Sequence, residues 1–157
     1  MTKVRFSSRI NGLFFGKVQN PWPGREPSAI DKKPVLGRHK IDLLGFIDDA
    51  QADLKHHGGV DKAIHHYASD HYARWIAEGE IPIGTKPAAF GENIATLGLT
   101  EDTLCIGDKL QLGSAVVQIS QGRQPCWKVS EDGVSVPINR TDRMVLSRPR
   151  AWQCSGG

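Results

Sequence analysis

The chain opens on loose alternation of apolar and polar positions. In "VRFSSRINGLFFGKVQ" the period is close to two, and Gly12 and Gly16 sit where a turn or bulge suits a strand. "NPWPGREPSAI" follows as a Pro/Gly-rich loop. "KIDLLGFIDDAQADLKHHGG" starts strand-like and runs out into a polar loop with two adjacent glycines. "DKLQLGSAVVQIS" predicts a hairpin, with strands over 109–112 and 115–120 and a turn at Gly113-Ser114. One segment carries a helical period: Ser69 as N-cap, Tyr72, Trp75 and Ile76 on one face, and Gly79 as the stop. Just upstream, "DKAIHHY" reads as either an extra strand or a short turn. "IPIGTKPAAFGENI" reads as loop, broken by Pro82, Gly84 and Pro87. Many short strands with one or two short inserted helices predict a mainly β fold, a barrel or a sandwich.

Composition narrows this picture modestly. A chain of 157 residues, 39% hydrophobic and 24% charged, suits one soluble globular domain with a single core. The net charge of +3 and a pI near 8.8 favour an anionic small ligand or modest nucleic-acid contact. There is no run of Lys/Arg and no aromatic ladder, so stable nucleic-acid binding is not expected. The N-terminus has no apolar h-region, and no apolar run approaches the ~20 residues of a membrane span. Three cysteines without a CxxC fit a reducing compartment, so a cytoplasmic protein without a membrane partner is expected.

Three stretches could carry chemistry. Cys126, in "QISQGRQPCWKVS", follows a proline and lies between Arg123 and Lys128. Two cations favour the thiolate, which suits a nucleophile or a soft-metal ligand; a buried structural cysteine is the plainer reading. "LKHHGGVDKAIHHY" holds His56, His57, His65 and His66, but HH-x7-HH matches no zinc pattern. A turn in which Gly58 and Gly59 present N–H groups, with Lys55 and Lys62 near, is a better anion cradle. In "AFGENI", Gly91 allows close backbone approach, Glu92 is a possible acid/base and Asn93 offers both a donor and an acceptor. Cys105, in an apolar run, reads as core, and Tyr72, Trp75 and Phe90 read as packing residues.

Taken together, "GFIDDAQADLKHHGGVDKAIHHYASDHYARW", "AFGENIATLGLTEDTLCIGDKLQLG" and "VQISQGRQPCWK" closely resemble the MOSC-domain family, the molybdenum cofactor sulfurase C-terminal domain. The nearest branch is that of small bacterial stand-alone proteins of 6-N-hydroxylaminopurine resistance. The resemblance covers roughly residues 8–130. It implies a MOSC-type β-barrel that binds molybdenum cofactor (molybdopterin), with no part for pyridoxal phosphate. It implies that Cys126 is both metal ligand and catalytic residue, and that N-hydroxylated bases or amines are reduced from N–OH to N–H. The electrons come from a separate reductase. Glu92 and His57 are the expected proton relays. Lys55, His56, Gly58, Gly59, Lys62, Asn93, Arg123 and Lys128 are the expected cofactor contacts. A carrier or sulfur-transfer module without turnover is the alternative, and a metal-free cysteine hydrolase a third.

Beyond the "PCWK" motif the pattern changes. Residues 1–133 read as the MOSC domain, whereas "SVPINRTDRMVLSRPRAWQCSGG" has no clean period. Relatives continue with a segment like "TGRTGWYYRV". Reading "NRTDRMVLSR" one base later permits Thr-Gly-Arg-Thr-Gly-Trp-Tyr-Tyr-Arg. Residues 134–157 are therefore expected to be an aberrant, frameshifted tail. Such a tail would lack a selected binary pattern and would leave apolar surface uncovered.

Overall fold

The structure is a computed structural model and describes residues 7–123 and the strand at 144–147. The strands are β1 (Ile10–Phe15), β2 (Lys33–Pro34), β3 (Ile41–Asp42), β4 (Gly45–Phe46), β5 (Ile64–Ala68), β6 (Ile94–Thr96), β7 (Lys109–Leu112), β8 (Ala115–Gly122) and β9 (Met144–Ser147). One α-helix, α1 (Asp70–Ala77), and a 3-10 turn at Val60–Lys62 complete the described elements. The fold is mainly β with few helices, as the sequence predicts. Seven strands form one sheet in the order β2-β1-β6-β5-β9-β8-β7, and β3 and β4 form a separate ribbon.

The expected barrel is not closed among the described pairings. The sheet ends on β2 at one side and β7 at the other. The β2 edge has a local cause. This strand is two residues long, and Pro34 has no N–H to offer a further neighbour.

The hairpin forms as the spacing predicts. Leu112 faces Ala115 and Lys109 faces Gln118 across a two-residue turn. Gly113 takes φ +59° while Ser114 stays at negative φ, the pattern of a type II′ turn whose twist matches the strands. The helix also begins and ends where expected. Ser69 holds the N-cap position, but its hydroxyl caps nothing; it bonds the Asn11 side chain instead. At the other end Gly79, at φ +74°, donates to the Ile76 carbonyl and Glu80 donates to that of Trp75. This is the paired closure of a Schellman motif.

"DKAIHHY" resolves to the strand alternative. β5 is buried along its whole length, so its sequence cannot alternate. Ile64 packs with Phe15, Phe46, Ile94, Val117 and Ile119 on one face. Tyr67 packs with Tyr72, Trp75, Ile81 and Phe90 on the other. Strand alternation therefore sends His65 to the aromatic side and His66 to the aliphatic side. β5 and β6 pair in parallel, with His66 opposite Ile94, and α1 lies in the crossover between them. Cys105 departs from the core reading. Its buried neighbour Leu104 explains the apolar run, but a turn in which the Asp108 carboxylate accepts the Cys105 N–H turns the cysteine outward.

Candidate functional site

A cleft opens where five segments meet, and a buried carboxylate joins them. Asp49, in the turn after β4, accepts the Gly16 N–H at 2.8 Å and the Lys32 ammonium at 2.7 Å on Oδ1. Its Oδ2 accepts Lys32 Nζ at 2.8 Å and Asn93 Nδ2 at 2.8 Å. Asn93, immediately before β6, also donates from Nδ2 to the Phe14 carbonyl and accepts the His65 N–H on Oδ1. The Asn93 N–H donates to the His65 carbonyl at 2.8 Å. One carboxylate and one amide thus tie the end of β1, the segment before β2, the turn after β4, and strands β5 and β6. The Lys32 and Asp49 side chains are only 7% and 5% exposed. A pair so far out of water holds only when its remaining hydrogen-bonding capacity is filled, as the Gly16 and Asn93 contacts do here.

Lys32, Asp49, His57, Lys62, Asn93 and Arg123 line the cleft, with His65 and the backbone at Gly91. The cleft has a cavity volume of about 60 Å³ and opens to solvent. Burial lowers the Lys32 pKa; the Asp49 carboxylate works against that shift, and the positive charge of Arg123 adds to it. Lys32 and Arg123 therefore feel one another, while the Asp49 carboxylate paired with Lys32 offsets that repulsion. At the rim, the His56 backbone N–H is the largest influence holding the Asp53 carboxyl down to about 2, and Lys55 donates its own N–H to the same group. A negative charge is fixed there, beside the cationic floor.

Of the residues expected from sequence, His57, Lys62, Asn93 and Arg123 come together in this cleft. Lys55, His56, Gly58 and Gly59 are adjacent in the chain but are not among the lining residues. His56 is exposed and bonded to Asp53, and the Lys62 ammonium donates to the His56 carbonyl. The four histidines do not converge, because His65 and His66 leave β5 on opposite faces. Glu92 lies beneath the cleft wall, 0% exposed. Cys126 and Lys128 lie outside the described residues. Lys32 and Asp49 were missed by sequence reasoning, and His65 was weighed only as a zinc ligand. "DKKP" and "IDDA" look like solvated loops, and nothing local marks Lys32 and Asp49 as a buried pair. A histidine inside a fully buried strand would have been the one available signal for His65.

The residues present fit an anionic group. Three cations (Lys32, Lys62 and Arg123), two imidazoles (His57 and His65) and the Asn93 amide line it with two carboxylates, Asp49 and Asp53, a balance that leans positive.

Comparison with known proteins agrees with the motifs. The sequence pattern described as the MOSC domain matches residues 53–150. Protein YiiM of Escherichia coli is 42% identical over 120 residues, which are 75% of this chain and 53% of that protein. Protein YflK of Bacillus subtilis is 41% identical over 133 residues, 83% of this chain and 58% of that protein. A Gibberella moniliformis protein named a reductase is 36% identical over 109 residues, 68% of this chain and 19% of that protein. This chain thus spans about half the length of its two bacterial relatives. The crystal structure of YiiM from Geobacillus stearothermophilus superposes with a TM-score of 0.65 at 30% identity, covering 90% of this chain and 67% of that one. That of YiiM from Escherichia coli gives a TM-score of 0.61 at 31% identity, covering 74% and 57%.

Proposed function

Because the chain belongs to the MOSC-domain family, we propose that its cleft binds molybdenum cofactor and that the protein reduces N-hydroxylated bases or amines with electrons from an external reductase. The observation that supports this reading is the cleft lined by Lys32, Lys62 and Arg123, in which Lys32 is buried against Asp49 and Arg123 is half-buried. From Arg123 the chain runs three residues to Cys126, at most about 11 Å when fully extended. The anion site and the soft thiolate are thereby tethered to one another, as a phosphate-bearing dithiolene cofactor requires.

When bound, the cofactor would supply the two-electron redox couple. The protein does the rest. Lys32, Lys62 and Arg123 would hold the phosphate, and Cys126 would supply the thiolate ligand. Asn93 and Asp49 keep Lys32 from swinging into solvent. The overall change, R–NHOH + 2e⁻ + 2H⁺ → R–NH₂ + H₂O, needs two protons at the cleft. His57, on its wall, is an imidazole placed to deliver them.

Anaerobic purification of the wild type and of Cys126→Ser, followed by molybdenum analysis and an assay on an N-hydroxylated purine with an artificial electron donor, tests the proposal. The wild type is expected to carry close to one molybdenum per chain and to turn over; Cys126→Ser is expected to lose both. Molybdenum without turnover in the wild type would favour the carrier alternative. Full retention by the variant would overturn the role of Cys126.

A further inference from the structure

We infer that Glu92 is a positioning residue: a sealed carboxylate that fixes the 88–93 bend and so holds Asn93 against Asp49 and Lys32. The inference rests on this cleft being the functional site, but not on which cofactor occupies it.

The geometry is specific. Glu92 Oε1 accepts the Tyr72 hydroxyl at 2.5 Å and the Ala88 N–H at 2.8 Å, and Oε2 accepts the Phe90 N–H at 3.1 Å. All three contacts place the carboxylate as acceptor; burial raises the Glu92 pKa, and the Tyr72 hydroxyl and the Ala88 and Phe90 N–H groups work against that rise. The group is shut off from the cleft, between the aromatic layer of Tyr67, Tyr72 and Phe90 and its own loop. Ala88 has φ +85° and is the one non-glycine at positive φ among the described residues. That conformation costs an alanine roughly 1–2 kcal/mol, and the Glu92 carboxylate holds it by its N–H. Gly91, at φ +70°, brings the loop against Ile30, where a Cβ would come within 2.8 Å of Ile30 Cγ1.

Glu92 therefore sits between two fixed points. Behind it is Tyr72 on α1. Ahead of it Asn93 donates to Asp49, which holds Lys32 by both oxygens. The Glu92 charge is itself felt at Lys32, where it favours the ammonium. The aromatic layer thus sets the cleft floor through a single side chain, mechanically through Asn93 and electrostatically through the field at Lys32. This role differs from the proton relay expected from sequence, which would need the carboxylate at the cleft surface.

The test uses the whole chain, with Glu92→Gln and Tyr72→Phe as variants. Glutamine keeps the shape, but turns an amide donor toward one of the three N–H or O–H groups. Inorganic phosphate is the binding probe, and amide hydrogen exchange is the local one. Glu92→Gln is expected to weaken phosphate binding about tenfold, the scale of one charge-assisted hydrogen bond. It should speed exchange at Gly91 and Asn93 while leaving the 109–122 hairpin unchanged. Tyr72→Phe should shift both in the same direction by less, and carries the test if Glu92→Gln does not fold. Ile119→Val, in the other core, is the control: it should lower overall stability without changing phosphate affinity.

Exchange that rises in the hairpin as much as at Gly91 would overturn the inference, because it would mean a general loss of stability. So would unchanged affinity and exchange accompanied by loss of one limb of a pH–rate profile, the signature of a relay. If the wild type itself does not bind phosphate, the cationic-cleft reading falls. The exchange pattern then still decides the role of Glu92.

Discussion

At the scale of single residues, the cleft depends on charges held out of water, and their behaviour under mutation follows from that. Lys32→Met removes the partner of Asp49 and leaves a carboxylate with only the Gly16 and Asn93 donors. Breaking a buried pair on one side costs about 3–5 kcal/mol. The expected outcome is a loss of that order in urea denaturation, together with lost phosphate affinity. His66 gives a pH dependence. Burial, with a smaller contribution from His71, lowers its pKa from 6.5 to about 4. Its Nε2 bonds Thr96 Oγ1 at 2.7 Å, and its Nδ1 has no partner among the described residues. The folded pKa lies below the unfolded one, so the unfolded chain binds the extra proton between about pH 4 and 6.5. The contribution of His66 is present in full above 6.5 and is lost as pH falls toward 4, a change on the order of 3 kcal/mol. Denaturation midpoints measured across that range should fall in the wild type and much less in His66→Phe. Little of this was legible in the sequence. Gln, Lys, His and Asp in short loops and strands look alike whether solvated or sealed. The partners that distinguish them, such as Lys32 with Asp49 or Glu92 with Tyr72, are 17 and 20 positions apart.

Elements were far more readable, because their signals are local. Ser69 and Gly79 bracket α1, and Gly113-Ser114 sets the hairpin, each by backbone chemistry confined to a few neighbouring residues. Gly113→Ala should cost about 1 kcal/mol, since alanine strains at φ +59°; thermal unfolding would read it. β5 was ambiguous for the opposite reason. A strand covered on both faces shows no alternation, and two of its five residues are histidines. The parallel pairing of β5 with β6 had no local signal at all, being set by how α1 packs its Tyr72 and Trp75 face back on the sheet. The β9 strand comes from the segment that the sequence sets apart, yet it pairs with β5 on one side and β8 on the other. Ending the chain at residue 133 would leave two strand edges unpaired in mid-sheet. Such a variant should melt well below the full chain and aggregate on refolding, as light scattering would show.

For the molecule as a whole, family and mainly β class were readable because several separated motifs agreed in order and spacing. The barrel expectation was less secure, because closure depends on edges rather than on motifs, and the edges here are β2 and β7. The cleft was only partly legible. His57, Lys62, Asn93 and Arg123 were named in advance, whereas Lys32 and Asp49 were not. The frame-slip reading of residues 134–157 remains a proposal that sequencing the gene decides. Restoring the shifted frame should raise stability and cofactor retention together, if the altered residues weaken cover over the sheet.

The position of β9 also bears on synthesis. Among the described strands it is the last made, but it sits between strands made earlier. During translation β5 and β8 must wait beside each other with unsatisfied backbone until residues 144–147 leave the ribosome. For that interval the nascent chain is two half-sheets rather than a domain. A protein built this way should depend on holding chaperones in proportion to how slowly its final codons are read, and synonymous slow codons after position 123 should lower its soluble yield without changing a single amino acid.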